Sequence, residues 1–329
     1  MQYTRLGGSG ARVSRIALGL GLRGQGDAAA AERLIATAFD RGITFFDCAN
    51  IYGLMDDRGY AGRAEEILGK ALKRHRDEVV ITSKVVSPVG SGQNDRGGSR
   101  LHIAREVERS LRRLDTDRID VYLLHAFDAE TPLEEQFGAL DDLVRRGLVR
   151  YVGVCNYQAW QVCDALWTQE RLGAHRLVTV QNPYSLLNRS LEGEMFPFVR
   201  EFGLGVMAYA PIGTGLLSGT YRADAPPPEG SLWAVHRREA FARIAARAEQ
   251  VLAAVTAIGR RHGATPAQVA LAWVLSHGEI TCAISGADTA DQIAENAAAA
   301  DVSLAAEDLQ ALDAVSRGSR MLLDGAALG

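Results

Sequence analysis

ITFFDCANIYG (residues 43–53), EVVITSK (78–84) and IDVYLLH (119–125) decide how this chain is read. Each is a short apolar run, rich in β-branched and aromatic residues. Each ends in, or leads directly into, a polar group: Asp47 and Tyr52, Lys84, His125. Such runs read as strands buried on both faces, the kind found in parallel sheets covered by helices. In a closed barrel of parallel strands the strand C-termini all open on one face, where active sites sit. Polar residues far apart in sequence can therefore meet there. Together the four make a chemical set: a phenol to donate a proton, a lysine to lower its pKa, a carboxylate to hold the lysine, and an imidazole beside them.

Outward from these runs, strand and helix patterns alternate. Residues 3–19 (YTRLGGSGARVSRIALG) predict a hairpin around Gly7 and Gly8 and then a first buried strand over 16–19. Helical spacing of Leu34, Ile35, Ala38 and Phe39 predicts a helix over 28–41, ended by Gly42. Strands over 44–48, 79–84, 119–125, 151–154, 178–181, 205–210 and 281–285 alternate with helices over 62–73, 99–114, 132–146, 157–172, 191–202, 243–262, 265–276 and 289–300. Ser99 is a candidate N-cap, Pro132 stands in a first turn, and Thr265 with Pro266 reads as an N-cap followed by proline. A long insert after Pro211 carries the breaker cluster Pro226, Pro227 and Pro228, and Trp233 of that insert is expected to overhang the mouth. Eight strand–helix units predict a (β/α)8 TIM barrel over residues 1–329 as one domain, with an N-terminal β-hairpin and an extra C-terminal helix; a doubly wound sheet is the alternative. GLGLRGQG (19–26) has the outline of a dinucleotide fingerprint, but no acidic residue closes a clear second strand about 20 residues on. In a barrel the same glycines let the first loop pass under a cofactor.

Composition narrows the classes. The net charge of −4 gives no basic character for nucleic acid or an acidic membrane, and no apolar run approaches membrane length. Four cysteines (Cys48, Cys155, Cys163, Cys282) lie far apart without metal-ligand spacing, which points to a reduced, cytoplasmic chain with no metal site. The abundance of Ala, Arg and Gly points to a GC-rich bacterial genome. The histidines show neither H-x-H nor H-E-x-x-H spacing, which weakens a metal-dependent hydrolase or isomerase.

FFDCANIYG (45–53), RLDTDRIDVYLLH (113–125), LVRRGLVRYVGVCN (143–156) and the pair Gln181 and Asn182 resemble motifs of the aldo-keto reductase superfamily. The likeness runs from about Tyr3 to about Ser316. It implies a nicotinamide-dependent carbonyl reductase or alcohol dehydrogenase with the catalytic tetrad Asp47, Tyr52, Lys84 and His125. It places Asn156 and Gln181 on the nicotinamide carboxamide, with Cys155 where relatives usually carry Ser, and stacks Tyr209 on the ring. The segment PIGTGLLS (211–218), following Ala210, resembles the loop that covers the pyrophosphate; Pro211, Ile212, Gly213, Gly215, Leu216 and Ser218 belong to it. SGADTADQIAEN (285–296) resembles the adenosine-phosphate segment: Gly286, Asp288, Gln292 near the ribose, and Glu295 and Asn296 at the adenine. Gly19 and Asp47 complete the cofactor set.

Three departures bear on the cofactor. Asp288 stands where relatives often carry Lys or Arg, Thr220 stands in a Ser-Gly-Lys-Tyr position, and residues 226–233 lack the basic residue often found there. A 2′-phosphate needs cationic donors. The resemblance favours NADP(H); these substitutions pull toward NAD(H), and Arg222 or an arginine of the insert could restore the charge. NDRGGSRLHI (94–103) and AWQVCDALW (159–167) resemble the branch holding potassium-channel β subunits and bacterial glyceraldehyde-phosphate-type reductases, so a nicotinamide-binding regulatory subunit is the rival reading. The acidic loop LMDDRGYAG (54–62), with Asp56, Asp57 and Arg58, implies a polar, sugar-like small-molecule carbonyl or alcohol substrate. Association into homo-oligomers stays open.

Overall fold

The computed structural model of the protein describes residues 1–57, 59 and 61–320; Arg58, Tyr60, residues 321–329 and the side chain of Asp56 lie outside the described residues. The chain opens with an antiparallel hairpin, β1 (Tyr3–Arg5) on β2 (Arg12–Ser14). Eight parallel strands then close into a barrel: β3 (Ile16–Gly19), β4 (Phe45–Asp47), β5 (Val80–Val85), β6 (Ile119–Leu124), β7 (Val149–Cys155), β8 (Thr179–Pro183), β9 (Gly205–Tyr209) and β10 (Ile280–Ser285). They neighbour one another in chain order, and β10 pairs back onto β3. Closure leaves no sheet edge and rules out the doubly wound alternative.

Helices α1 (Ala28–Asp40), α2 (Arg63–Leu72), α3 (Arg100–Leu114), α4 (Leu133–Arg145), α5 (Ala159–Leu172), α6 (Met195–Phe202), α7 (Leu232–Val235), α8 (Arg238–His262), α9 (Pro266–Leu275), α10 (Ala290–Ala298) and α11 (Ala306–Ser316) surround it. Local chemistry sets their ends. The Asp27 carboxylate accepts from the Ala29 and Ala30 amides to start α1. Ser99 accepts from the His102 amide to start α3, and Thr265 with Gln268 forms a reciprocal capping box ahead of Pro266. α11 is the expected extra helix.

Several boundaries differ from the pattern reading. Pro132 sits at the N-cap of α4 rather than inside it: its φ of −54° would suit a helix, but its ψ of 137° does not. The stretch 191–202 splits into a short 3-10 turn and α6. The insert holds α7, and α8 starts five residues earlier than expected, at Arg238. Trp233 does not overhang the mouth: it is 1% exposed, and its indole Nε1 donates to the Thr214 carbonyl at 2.9 Å, bracing that loop from behind. An indole needs both burial and a partner for its N–H, and this position gives both.

The barrel interior is filled in layers by Ala17, Phe45, Val121, Leu123, Met207, Cys282 and Ile284, with Leu6 and Val13 of the hairpin plugging the bottom. Gly7 makes that plug fit. Its φ is +55°, and a Cβ there would lie 2.0 Å from the Val178 carbonyl oxygen, a backbone atom. Gly7→Ala should destabilise the protein by about 2–5 kcal/mol, combining left-handed strain with overpacking. Urea unfolding monitored by circular dichroism checks this; a change under about 1 kcal/mol, within the range of ordinary surface substitutions, would mean the hairpin is loosely seated.

Candidate active site

Every barrel strand contributes to the C-terminal mouth. Gly19 ends β3, Asp47 ends β4, Lys84 lies in the last turn of the pleat of β5, and His125 follows β6. Cys155 ends β7, Gln181 lies in β8, Tyr209 ends β9, and Gly286 follows β10. Period-two alternation selects which side chains enter. Thr82 and Lys84 point into the barrel, whereas Ser83 between them points outward and donates to Glu65 at 2.5 Å.

The tetrad is brought together. The Lys84 ammonium is fully buried and has three donors, and three acceptors surround it: Asp47 Oδ2 at 2.8 Å, the Cys48 carbonyl at 2.8 Å and the Tyr52 hydroxyl oxygen at 3.4 Å. The other Asp47 oxygen accepts from Thr82 Oγ1 at 2.5 Å and Gln181 Nε2 at 2.8 Å. The rings of Tyr52 and His125 meet edge to face, with centroids 5.8 Å apart. His125 Nδ1 lies 3.3 Å from Ser87 Oγ.

Burial is the largest influence on the Tyr52 phenol. The Lys84 charge pulls the pKa down and the Asp47 charge pushes it up, and the net result is a rise to about 12. The expected lowering by lysine is present but smaller than desolvation. For Lys84 burial opposes the charged form, yet Asp47, Tyr52 and Cys155 together outweigh it and raise its pKa, so the ammonium stays charged. Burial pushes the Cys155 thiol up to about 12, which keeps it neutral.

A second group adjoins the tetrad. Tyr209 donates to Asn156 Oδ1 at 2.8 Å, and Asn156 Nδ2 donates to the His125 carbonyl at 3.0 Å. The Cys155 thiol lies 3.5 Å from Gln181 Oε1 and 3.2 Å from Asn156 Nδ2, linking the two amides. Side-chain amides beside a half-buried aromatic ring fit a nicotinamide carboxamide and ring. Asn156 holds φ at +61°, and Leu22, Met55, Val86, Ala210 and Thr214 are also left-handed, all in loops at this mouth. For β-branched Val86 and Thr214 such backbone is costly, and strain of this kind concentrates at functional sites.

The loop 210–219 is a run of tight turns in which the Gly213, Leu216, Leu217 and Ser218 amides bond to carbonyls of the same loop. Pro211 and Leu216 are buried, Ile212 and Gly215 are partly exposed, and Ser218 Oγ donates to the Gly215 carbonyl. Leu216 packs in the core, so it offers the mouth only backbone. In the segment after β10, the Asp288 amide donates to Gln292 Oε1 at 2.7 Å, and Asn296 Nδ2 donates to the Gly286 carbonyl at 3.2 Å. Glu295 accepts from the hydroxyl of Thr265, the N-cap of α9. The Asp288 carboxyl is raised by burial against a hydrogen bond from the Gly24 amide, and Gln25 Nε2 donates to its carbonyl at 2.7 Å. Asp288 thus ties the loop after β10 to the loop after β3. Arg222 forms a two-pronged pair with Asp224 at 2.9 Å on the surface. In the acidic 54–62 loop, the Asp57 carboxylate accepts from the Gly59 amide at 2.8 Å; Arg58 and the Asp56 side chain lie outside the described residues.

Sequence reading missed Thr82, Ser87, Arg23 and Arg237. Thr82 is paired directly with Asp47 across β4 and β5. Arg23 exerts an electrostatic pull on both Tyr52 and Tyr209, and Arg237 on Tyr209. A serine two residues past a strand, or arginines in loops, carry no local signal of this kind.

Among the described residues no helix is long and apolar enough to cross a membrane, and no cluster could hold a metal ion. The family model described as "Aldo/keto reductase family" matches residues 15–317. The chain is 37% identical to a Bacillus subtilis (strain 168) protein named uncharacterized oxidoreductase YrpG, over 97% of each chain. It is 34% identical to a probable voltage-gated potassium channel subunit beta of Arabidopsis thaliana, over 92% of each chain. It is 33% identical to versiconal hemiacetal acetate reductase of Aspergillus parasiticus, over 95% of this chain and 96% of that protein. A match across nearly the whole barrel, with oxidoreductases among the relatives, makes the chain an NAD(P)H-dependent oxidoreductase that belongs to the aldo/keto reductase family.

Proposed function

We propose that the protein reduces a polar, sugar-like or α-oxygenated carbonyl compound, with Tyr52 as proton donor. The observation that carries this reading is the Lys84 ammonium, buried with its three donors directed at Asp47, Cys48 O and Tyr52 Oη. Because the phenol oxygen accepts from Lys84, its own hydrogen is left to donate elsewhere, toward the mouth. As that proton departs, the same ammonium stabilises the forming phenoxide. Asp47, braced by Thr82 and Gln181, keeps Lys84 charged and in place. His125, edge-on to Tyr52, donates to the substrate oxygen alongside it. The hydride comes from the reduced nicotinamide when it is bound, which Asn156, Gln181 and Tyr209 would hold.

The polar substrate is supported by the 54–62 loop and by the pull of Arg23 on Tyr52. An apolar ligand that covered the exposed Asp57 carboxylate would strip its water without replacing it, at about 1–3 kcal/mol. A hydroxylated carbonyl series should therefore give higher kcat/KM than apolar ketones of matched size; consistent preference for the apolar set would overturn the substrate class and leave the reductase intact.

For the cofactor we propose NADP(H) with NAD(H) also accepted. Asp288, at the loop resembling the adenosine-phosphate segment, repels a 2′-phosphate, and Arg222 is already engaged by Asp224. Asp288→Arg should tighten NADPH by tenfold or more, about 1.4 kcal/mol, with little change for NADH. Dissociation constants from protein-fluorescence quenching check this; equal shifts for both would show that Asp288 serves only its bond to Gly24. A second reading, a nicotinamide-binding regulatory subunit, is motivated by the likeness to the plant channel subunit. Absence of turnover with any generic aldehyde, with both cofactors bound normally, would favour it.

A further inference from the structure

The end of the barrel opposite the mouth holds a cavity of about 530 Å³, between the hairpin loop at Gly8 and Gly10 and the start of β7. That volume falls within the range of small-molecule sites. Val152, Leu177 and Phe202 form the apolar part of its wall. Phe202 is 38% exposed although its ring stacks on Phe198 with centroids 4.5 Å apart. Arg150 and Arg176 stand at its rim.

Those two arginines differ from their neighbours. Arg145 pairs with Asp141 at 2.6 Å and Arg171 with Glu134 at 2.8 Å. Arg150 instead donates to the Gly147 carbonyl at 2.9 Å, and Arg176 to the Phe202 carbonyl at 3.0 Å. Among the described residues neither has a carboxylate within ion-pair distance, so each guanidinium is oriented by backbone while its charge is uncompensated. His175, also at the rim, is occupied by Asp141 at 2.6 Å.

We propose that this cavity is a second small-molecule site, separate from the reaction mouth, for an organic monoanion with a flat apolar body, such as an aromatic carboxylate. The ring fills the space against Phe202, Leu177 and Val152, and the anionic head meets the two guanidiniums. Planar guanidinium donors suit a carboxylate head. The hairpin loop forms the roof, and the same hairpin sends Leu6 and Val13 into the barrel floor. Occupancy therefore clamps the plug and raises the melting temperature.

The test is calorimetric titration of the full chain with 2-naphthoate, in the presence of saturating NADPH so that the mouth is filled. Saturable one-to-one binding is expected, with weakening of about tenfold or more in the Arg150→Gln/Arg176→Gln variant, since each lost charge-assisted contact is worth roughly that factor. Both arginines are exposed, so the variant should fold. A comparison needing no variant uses neutral 2-naphthamide, expected to bind the unaltered protein at least about tenfold more weakly. Absence of saturable naphthoate binding at low-millimolar concentration, equal binding by the variant, equal binding of the amide, or displacement of naphthoate by NADPH would each overturn the proposal.

Discussion

Tyr52→Phe is expected to lower carbonyl reduction by about 100- to 10,000-fold, the usual contribution of a positioned general acid. The ring stays, so its edge contact with His125 and its place beside Lys84 persist. Only the hydroxyl that accepts from Lys84 at 3.4 Å is removed. Nicotinamide dissociation constants should stay near the unaltered values, because the groups proposed to hold the cofactor are Asn156, Gln181 and Tyr209. Single-turnover reduction, with chemistry limiting, is the measurement; a variant retaining more than half the rate would remove Tyr52 from the role. The pH dependence has a definite sign. A general acid works in its protonated form, and burial holds this phenol up to about 12 in the free protein. Reduction should therefore be flat from neutral through mildly alkaline pH. The reverse oxidation needs phenoxide and should rise with pH over the same range.

Lys84→Met should be as damaging to rate and more damaging to stability. It removes the ammonium that stabilises phenoxide and leaves the Asp47 carboxylate buried with only Thr82 and Gln181 as donors. Breaking a buried ion pair by removing one partner typically costs about 3–5 kcal/mol. Asp47→Asn should be milder, because an amide still accepts from Thr82 and Lys84 retains Cys48 O and Tyr52. The Asp47→Asn/Lys84→Met double variant should lose less than the sum of the two single losses, both in rate and in urea stability. Strictly additive losses in a double-mutant cycle would mean that the two residues act independently.

Much of the fold was legible because its signals are local. Short β-branched runs ending in Asp47, Lys84 and His125, alternating with helices capped at Ser99 and Thr265, give strand–helix units that can bury both sheet faces in few ways. The mouth residues were legible for the same reason: each stands at the end of a run, and a parallel barrel gathers run ends. Helix boundaries around Pro132 and Arg238 shifted because end effects are weak beside packing.

The sequence alone thus determined the alternating strand–helix units, the hairpin, the four polar residues at or just beyond strand ends and the class of chemistry they suit. Closure rather than an open sheet, Thr82 as the brace of Asp47, and Trp233 as a buried strut were decided only by tertiary structure. So were the turning of Asp288 toward Gly24, the pull of Arg23 on Tyr52, and the balance in which burial outweighs Lys84 at the phenol. The physical reason is common to all of them. Periodicity and capping act over a few residues and are written in the chain, whereas register between strands, the path of a loop and the loss of water around a charge depend on which distant segments finally pack together.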